Sequence, residues 1–262
     1  MDIVVTIKQV PDPDIPPHHF KVDEANKRIV GPPGVAPVMN GYDANALEEA
    51  LRIREKQGGK VTVVTLGPDG ARDTLKRAIA MGADAAVHVN DAALLDRGSS
   101  LTARVLAAAI QKIGPFDLVL SGRQASDTDA GLTHILVAEA LGVPAVSPVS
   151  KLESVDAESA VARRAVDDGY QRIKVRLPAL LGVSSELNEP RYPPLKGIMA
   201  AGRAQIPVWS AMDLNITDLE PRVELRRLYQ ETREARVELI EADSPAEAGT
   251  KLADKLREAG LV

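Results

Sequence analysis

The sequence predicts a doubly wound α/β domain with a mostly parallel sheet, followed by an antiparallel hairpin and a C-terminal arm. Four apolar segments typical of buried strands alternate with four segments of helical periodicity between residues 3 and 141. Repeated strand–helix units join parallel strands by right-handed crossovers and place helices on both faces of the sheet. Ligands of such sheets bind beyond the carboxyl ends of the strands, so the loops after Val10, Leu66 and Leu120 are the expected site.

The first two strand–helix units are bounded by strong turn signals. A β-rich run predicts the first strand over residues 3–10, and a proline-rich loop then reaches about Asn40. From Asp43 the apolar residues fall on one helical face, and Gly58 and Gly59 end this helix. The second strand covers residues 61–66, and the helix that begins at Ala71 ends at Gly82.

The third and fourth units follow the same order. A short strand is predicted over residues 85–89, and Ser99 or Ser100 caps a helix that ends at Gly114. The fourth strand covers residues 116–120. A polar segment then leads into a strongly apolar helix over about residues 130–141.

After Pro144 the pattern changes to that of a hairpin around Asp168 and Gly169. Apolar and basic residues alternate over residues 172–177, which is typical of a half-exposed antiparallel ribbon. The basic side chains could meet an acidic partner or a ligand phosphate, but a charged strand face is usually the solvent side of a hairpin, and we favour that interpretation. Residues 178–184 return to a buried strand.

The sequence predicts two domains, an α/β nucleotide-binding domain over residues 1–188 and an arm over residues 189–262. Prolines interrupt the beginning of the arm, and its apolar residues are sparse. Its last helix has an N-cap at Ser244, a first-turn Pro245 and a capping-box Glu247. The apolar stripe of this helix needs cover from the chain's own sheet or from a partner subunit.

Composition excludes several functional classes. Thirty-two basic and 37 acidic residues give a net charge of −5, and only 3% of the residues are aromatic, so nucleic-acid binding is not expected. The absence of cysteine excludes disulfides, thiolate metal sites and a cysteine nucleophile. No apolar run approaches the ~18 residues of a membrane span, and none resembles a signal peptide, so we expect a cytoplasmic protein without membrane insertion.

The sequence contains no familiar catalytic motif, and we predict neither catalytic nor metal-binding residues. The adjacent His18 and His19 fit a surface loop, whereas His88 and His134 fit structural positions in a strand and a helix.

The most informative polar segment is SGRQASDTDAGLT, residues 121–133, here called the 121–133 loop. Gly122 lets backbone approach a ligand, Asp127 or Asp129 can accept ribose hydroxyls, and the following helix amides can hold a phosphate. The alternative is a plain helix cap, which needs only Thr128 or Asp129.

Several short motifs resemble one family. NEPRY at 188–192 is followed by Leu195, Ile198 and Met199, and is preceded by DDG at 167–169 and LP at 177–178. GRQA at 122–125 with Asp127, AMGAD at 80–84 and LEEA at 47–50 extend the match. Together they resemble the β subunit of an electron transfer flavoprotein, from residue 3 to about residue 205 and more weakly over the final helix.

This resemblance implies a Rossmann-like domain of the adenine-nucleotide-binding type, in a heterodimer whose α subunit holds the redox-active FAD while the β subunit holds AMP. The AMP contacts that it implies are Thr6, Asn40, Gly41, Tyr42, Asp43, Leu66, Gly122, Arg123, Gln124, Ala125, Ser126, Asp127, Thr128, Asp129, Ala130, Gly131, Leu132 and Thr133. A recognition loop over residues 191–200 would dock on partner dehydrogenases through Arg191, Tyr192, Leu195, Ile198 and Met199, with Leu195 as the apolar anchor.

The implied role is that of an electron carrier rather than an enzyme. Electrons would pass from flavoprotein dehydrogenases, such as acyl-CoA dehydrogenases, to an acceptor oxidoreductase such as a quinone reductase. Residues 200–203 depart from the lysine-rich sequence of many members, which puts docking on the same dehydrogenases in doubt. Pro13 resembles electron-bifurcating members, which hold a second FAD in place of AMP and oxidise NADH. A stand-alone nucleotide-binding regulator of the same fold is a third, weaker alternative.

Overall fold

A computed structural model describes residues 1–231 and 237–262. Its helices are α1 Gly41–Gln57, α2 Ala71–Met81, α3 Gly98–Ile113, α4 Thr133–Leu141, α5 Leu195–Arg203 and α6 Pro245–Glu258. Its strands are β1 Asp2–Thr6, β2 Gln9–Val10, β3 Lys21–Asp23, β4 Arg28–Val30, β5 Val38–Met39, β6 Lys60–Leu66, β7 Ala85–Val89, β8 Leu118–Gly122, β9 Ala145–Val155, β10 Ser159–Val166, β11 Gly169–Arg176, β12 Ala179–Val183 and β13 Val208–Trp209.

Nine of the described strands form one twisted sheet in the order β11-β10-β9-β12-β8-β1-β6-β7-β13. Every pairing from β9 to β13 is parallel, whereas β10 runs antiparallel to both β9 and β11. Val5 at the centre pairs with Val63 of β6 on one side and with Leu120 of β8 on the other. The predicted doubly wound α/β fold with an antiparallel hairpin is therefore confirmed.

Two apolar layers enclose the sheet. On one face, Leu47 and Leu51 of α1 and Leu75 of α2 belong to one buried apolar cluster with the strand residues Val5 and Leu120. On the other face, α3 and α4 pack against the alternate strand residues, which include Val4, Val64 and Val119. Near-continuous apolar strands are thus buried on both sides, as parallel sheets require.

The first predicted strand is wrong in one respect, because residues 3–10 do not form a single strand. β1 ends at Thr6, and Gln9–Val10 pairs with Val38–Met39 in a separate two-stranded sheet. The break occurs at Lys8, whose backbone N–H donates to the Asp43 carboxylate and whose carbonyl accepts from Asn40. The predicted loop that follows also contains the small β3–β4 hairpin.

Some predicted boundaries move. α1 begins two residues before Asp43, β8 is shifted two residues towards the C-terminus, and α4 begins at Thr133 rather than near residue 130. Asp129 and Gly131 have left-handed backbones, with φ of 46° and 62°, and a right-handed helix cannot pass through them.

The beginning of the predicted arm packs on the sheet and its helices. α5 packs on α2, and β13 pairs with β7 to extend the sheet by one strand. The N-cap of α6 is confirmed, since Ser244 Oγ accepts from the Glu247 N–H at 3.2 Å, and no residue of this helix is buried. The division of the chain at residue 188 stays a prediction.

Candidate functional site

The candidate site lies at the carboxyl ends of the central strands. α1 leads from β1 to β6 on one side, whereas α3 returns the chain across the opposite face to β8 on the other side. The connections on the two sides of β1 therefore diverge, which is the arrangement that places a ligand crevice beyond the ends of β1 and β8 in sheets of this type. Thr6 Oγ1 donates to Ser121 Oγ at 2.8 Å across this strand pair.

A buried carboxylate closes the floor of this crevice. Asp43, in the first turn of α1, accepts the Gly122 N–H at 3.0 Å and the Lys8 N–H at 2.8 Å. A Cβ at residue 122 would lie 2.4 Å from Asp43 Oδ1, so only glycine fits there. Burial raises the pKa of the Asp43 carboxyl to about 7, although the hydrogen bonds from Asn40, Lys8 and Gly122 favour its ionised form.

The 121–133 loop is fastened to the start of α1. Asn40 Nδ2 donates to the carbonyl oxygen of Gln124 at 2.8 Å, and Asn40 Oδ1 accepts the Ser126 N–H at 3.2 Å. Within the loop, Gln124 Nε2 donates to Asp129 Oδ1 at 2.8 Å. One buried amide side chain therefore sets the path of the loop above the strand ends.

An ion pair joins the loop to the segment that follows β1. Lys8 Nζ lies 2.7 and 2.8 Å from the two carboxylate oxygens of Asp127, a separation of 119 residues along the chain. Arg123 lies nearby, with its guanidinium carbon 5.2 Å from the centre of the Tyr42 ring. Arg123 Nε is buried and has no hydrogen-bond partner within the described ranges.

A second surface of interest is the α5 patch, which consists of Tyr192, Leu195, Ile198 and Met199. Tyr192 is 90% exposed and Leu195 75% exposed, and the other two side chains are more than half exposed. Leu195 and its neighbours form a short helix rather than a loop, because Pro193 and Pro194 lead directly into α5. Clustered exposed apolar side chains of this kind mark interaction surfaces.

Arg191 differs from the other predicted docking residues. Its Nε donates to Glu48 Oε2 at 2.7 Å, and its Nη1 donates to Glu55, so that its guanidinium is held against α1. These two carboxylates raise the pKa of Arg191, and Arg191 and Arg52 hold the pKa of Glu48 below its usual value despite the desolvation of that carboxyl. Arg191 therefore anchors the segment that precedes the α5 patch.

Comparison with known proteins identifies the family. A model of the electron transfer flavoprotein domain matches residues 34–214. An electron transfer flavoprotein β subunit from Thermoanaerobacterium thermosaccharolyticum is 42% identical over 217 residues, which cover 82% of this chain and 81% of the relative. The chain belongs to the electron transfer flavoprotein β-subunit family.

Two further relatives of this β subunit carry other names. The caffeyl-CoA reductase–Etf complex subunit CarD of Acetobacterium woodii is 35% identical over 269 residues, which cover 100% of both chains. The protein FixA of Bradyrhizobium diazoefficiens is 35% identical over 262 residues, covering 95% of this chain and 89% of the relative. Membership of the family establishes a role in electron transfer.

The structure of the β subunit brings most of the predicted nucleotide residues together. Thr6, residues 40–43 and the loop residues 122–127 meet at the crevice through the contacts described above. Leu66 ends β6, but its side chain packs into the apolar layer beneath α3, so only its backbone faces the strand ends. Thr128, Asp129, Ala130 and Leu132 are solvent-exposed on the outer part of the loop.

Sequence reasoning missed Lys8 and Gln9. Lys8 contacts Asp127, and Gln9 Nε2 donates to the carbonyl oxygen of Gly70 at 2.8 Å, at the start of α2. The available signal was a lysine that directly follows a buried strand, at the edge where ligands of parallel sheets bind.

The two buried histidines have structural partners. His88 Nε2 lies 2.9 Å from the carbonyl oxygen of Gly67, and His134 Nε2 lies 2.8 Å from Ser147 Oγ. Residues 1–231 and 237–262 contain no group of side chains that could hold a metal ion, and none of their helices has the length and apolar character of a membrane span.

Proposed function

We propose that this β subunit pairs with an electron transfer flavoprotein α subunit, binds AMP at the strand-end crevice, and serves a cytoplasmic electron shuttle. Electrons would pass from flavoprotein dehydrogenases, such as acyl-CoA dehydrogenases, through the FAD of the α subunit to an acceptor oxidoreductase such as a quinone reductase. The FAD supplies the redox chemistry, and the present chain supplies scaffold and docking surface. Neither nucleic acid nor membrane insertion is part of this role.

The observation that carries the nucleotide assignment is the hydrogen-bonded contact at the strand ends, where Asp43 and Asn40 at the start of α1 bind Gly122 and the loop that follows it. Gly122 brings its backbone against Asp43 and Tyr42, which holds the loop on the start of α1, and Asp127 presents acceptor oxygens for ribose hydroxyls. The first turn of α4 has no side-chain cap, which leaves its N–H groups available to a phosphate. The chemistry of these groups supports an adenine nucleotide as the ligand.

The α5 patch supports docking on the dehydrogenase. Leu195 has the exposure of an anchor that enters a partner's pocket, and Arg191 holds the preceding segment on α1. The later part of the chain, with the uncovered apolar stripe of α6, would pack on the α subunit.

The alternative function is an electron-bifurcating β subunit that binds a second FAD at the same crevice and takes part in NADH oxidation. Pro13 in the exposed segment after β2 favours it, as does the full-length match to a subunit of a caffeyl-CoA reductase–Etf complex. AMP and FAD share an adenosine monophosphate half, so the residues around Asp43 serve either ligand.

The deciding experiment is to purify this chain together with its α subunit, denature the complex, and quantify released FAD and AMP per heterodimer by absorbance and chromatography. One FAD and one AMP support the simple shuttle. Two FAD and no AMP support the bifurcating alternative. Recovery of a stable monomer, with no α subunit and no nucleotide, contradicts both.

A further inference from the structure

We infer that Lys8 is a positioning residue for the nucleotide: it holds the Asp127 carboxylate in the orientation that receives the ribose hydroxyls and does not itself bind the phosphate. This inference rests on the proposed nucleotide site and names a residue that the sequence motifs do not include. The contacts of Lys8 with three residues on two segments, Asn40 and Asp43 at the start of α1 and Asp127 in the 121–133 loop, carry it.

All three polar groups of Lys8 are engaged at the crevice. Its N–H donates to Asp43 Oδ2 at 2.8 Å, and its carbonyl accepts the Asn40 N–H at 2.9 Å. Its ammonium reaches Asp127 at the far side of the crevice. Because the backbone of Lys8 is fixed at both polar groups, the start of its side chain is fixed as well, and the ammonium is directed at one target.

In the ion pair between Lys8 and Asp127, the Asp127 side chain is the less exposed of the two. The Asp127 side chain is 17% exposed and that of Lys8 is 43% exposed. One ammonium uses only part of the four lone-pair sites of a carboxylate, which leaves acceptor capacity for a ribose diol. A carboxylate already held in one rotamer binds with less loss of side-chain freedom than a free one.

The same geometry argues against a direct phosphate contact. Lys8 Nζ contacts both oxygens of Asp127, so a phosphate would have to draw the ammonium away and leave a carboxylate of low exposure without its cation. The uncapped α4 amides provide donors for a phosphate without that cost. We therefore assign Lys8 to the ribose end of the site. Since AMP and FAD share this ribose, the assignment holds for either occupant.

The test uses the complete heterodimer with its nucleotide removed, titrated calorimetrically with AMP and separately with adenosine. Lys8→Met keeps the backbone contacts and removes the charge, Lys8→Arg keeps the charge, and Asp127→Asn breaks the same ion pair from the other side. Lys60→Met is the matched control, because Lys60 is exposed at the amino end of β6, away from the crevice.

Lys8→Met should lower the affinity for AMP and the affinity for adenosine by the same factor, about five- to tenfold. Lys8→Arg should recover most of this affinity. In a protein that already carries Asp127→Asn, Lys8→Met should lower the affinity by less than a further factor of about two, because the two residues act as one unit. Lys60→Met should have no effect.

Two results for Lys8→Met overturn this inference without affecting the proposed site. If the affinity for AMP falls and that for adenosine does not, Lys8 is a phosphate ligand. If both affinities are unchanged, Lys8 does not position the ribose acceptor. Thermal unfolding of each variant shows whether the fold is kept, and Lys8→Gln, which also removes the charge, supplies the same comparison if Lys8→Met unfolds. If the unsubstituted heterodimer binds neither AMP nor adenosine, the proposed nucleotide site itself fails, and this inference fails with it.

Discussion

Gly197 in α5 lies against the backbone carbonyl of Ala80 in α2, with no room between them for a side chain. A Cβ at residue 197 would stand 2.1 Å from the Ala80 oxygen. The two helices therefore approach each other as closely as their backbones allow. This contact, together with the Arg191 anchor on α1, fixes where the α5 patch is displayed.

Replacing Gly197 by alanine should displace α5, because the obstacle is backbone and cannot rotate away. We expect a loss of about 1–3 kcal/mol in the free energy of unfolding, measured with urea, and slower electron transfer from the dehydrogenase. Gly202→Ala is the control, since a Cβ there meets nothing within 4 Å and an alanine should stabilise the same helix. Equal behaviour of the two variants would contradict this account of the packing.

Leu195→Ala should slow electron transfer from the dehydrogenase and leave flavin content unchanged, because it removes an exposed anchor without touching the crevice. Stopped-flow reduction of the heterodimer by its donor measures the effect, and a loss of about tenfold or more in the apparent affinity is expected. Met212→Ala, also at a highly exposed apolar side chain, serves as control. Normal kinetics of Leu195→Ala at matched concentrations would remove the docking assignment.

Asp127→Ala should lower nucleotide retention, since it removes both the proposed ribose acceptor and the partner of Lys8. We expect the purified heterodimer to carry clearly less than one nucleotide per crevice, as counted by chromatography after denaturation. Asp168→Ala removes an exposed aspartate from the hairpin turn and should leave occupancy unchanged. Undiminished AMP or FAD in Asp127→Ala would show that the carboxylate does not hold the ribose.

His134 should make stability depend on pH. Burial beside Gly182 lowers the pKa of His134 from 6.5 to about 4, so between these values the unfolded chain binds a proton that the folded chain does not. Stability is therefore lost as the pH falls from 6.5 towards 4, by roughly 2 kcal/mol at pH 5. Below pH 6.5, the free energy of unfolding should fall less steeply in His134→Gln than in the unsubstituted protein.

Urea unfolding at pH 7.5 and pH 5 measures this difference. The raised pKa of Asp43 contributes a slope of opposite sign, with stability falling as the pH rises towards 7, but it is present in both proteins and cancels in the comparison. His19→Gln changes an exposed histidine and should follow the unsubstituted protein. Parallel pH profiles for all three proteins would show that His134 does not titrate differently on folding.

The sequence predicted the order of elements well because the relevant signals are local. Apolar runs bounded by glycine and proline marked the central strands, and the Ser244 capping box marked α6. The strand-end rule also selected, without any catalytic motif, the loops that we propose as the nucleotide site. The family motifs added residues 40–43 to the site, and those residues contact the 121–133 loop in the structure.

The parts that the sequence did not predict depend on contacts between distant residues. The break at Lys8 needs Asp43 as an acceptor 35 residues away, and the late start of α4 depends on the left-handed backbone at Asp129, a residue that also fits a helix cap. Arg191 resembled a docking residue by motif, but its partners Glu48 and Glu55 lie on α1. No periodicity in the sequence encodes these pairings.

The sheet edge formed by β11 affects whether copies of the free chain associate with one another. β11 is the last strand on its side, and its outward backbone groups could pair with a strand of a second copy, which is a route to aggregation. Lys174 and Arg176 place exposed positive charges near the end of this strand, and the exposed Arg172 pairs with Glu153. Two such edges repel each other, so the hairpin that closes the sheet also protects newly made chains from polymerising edge to edge.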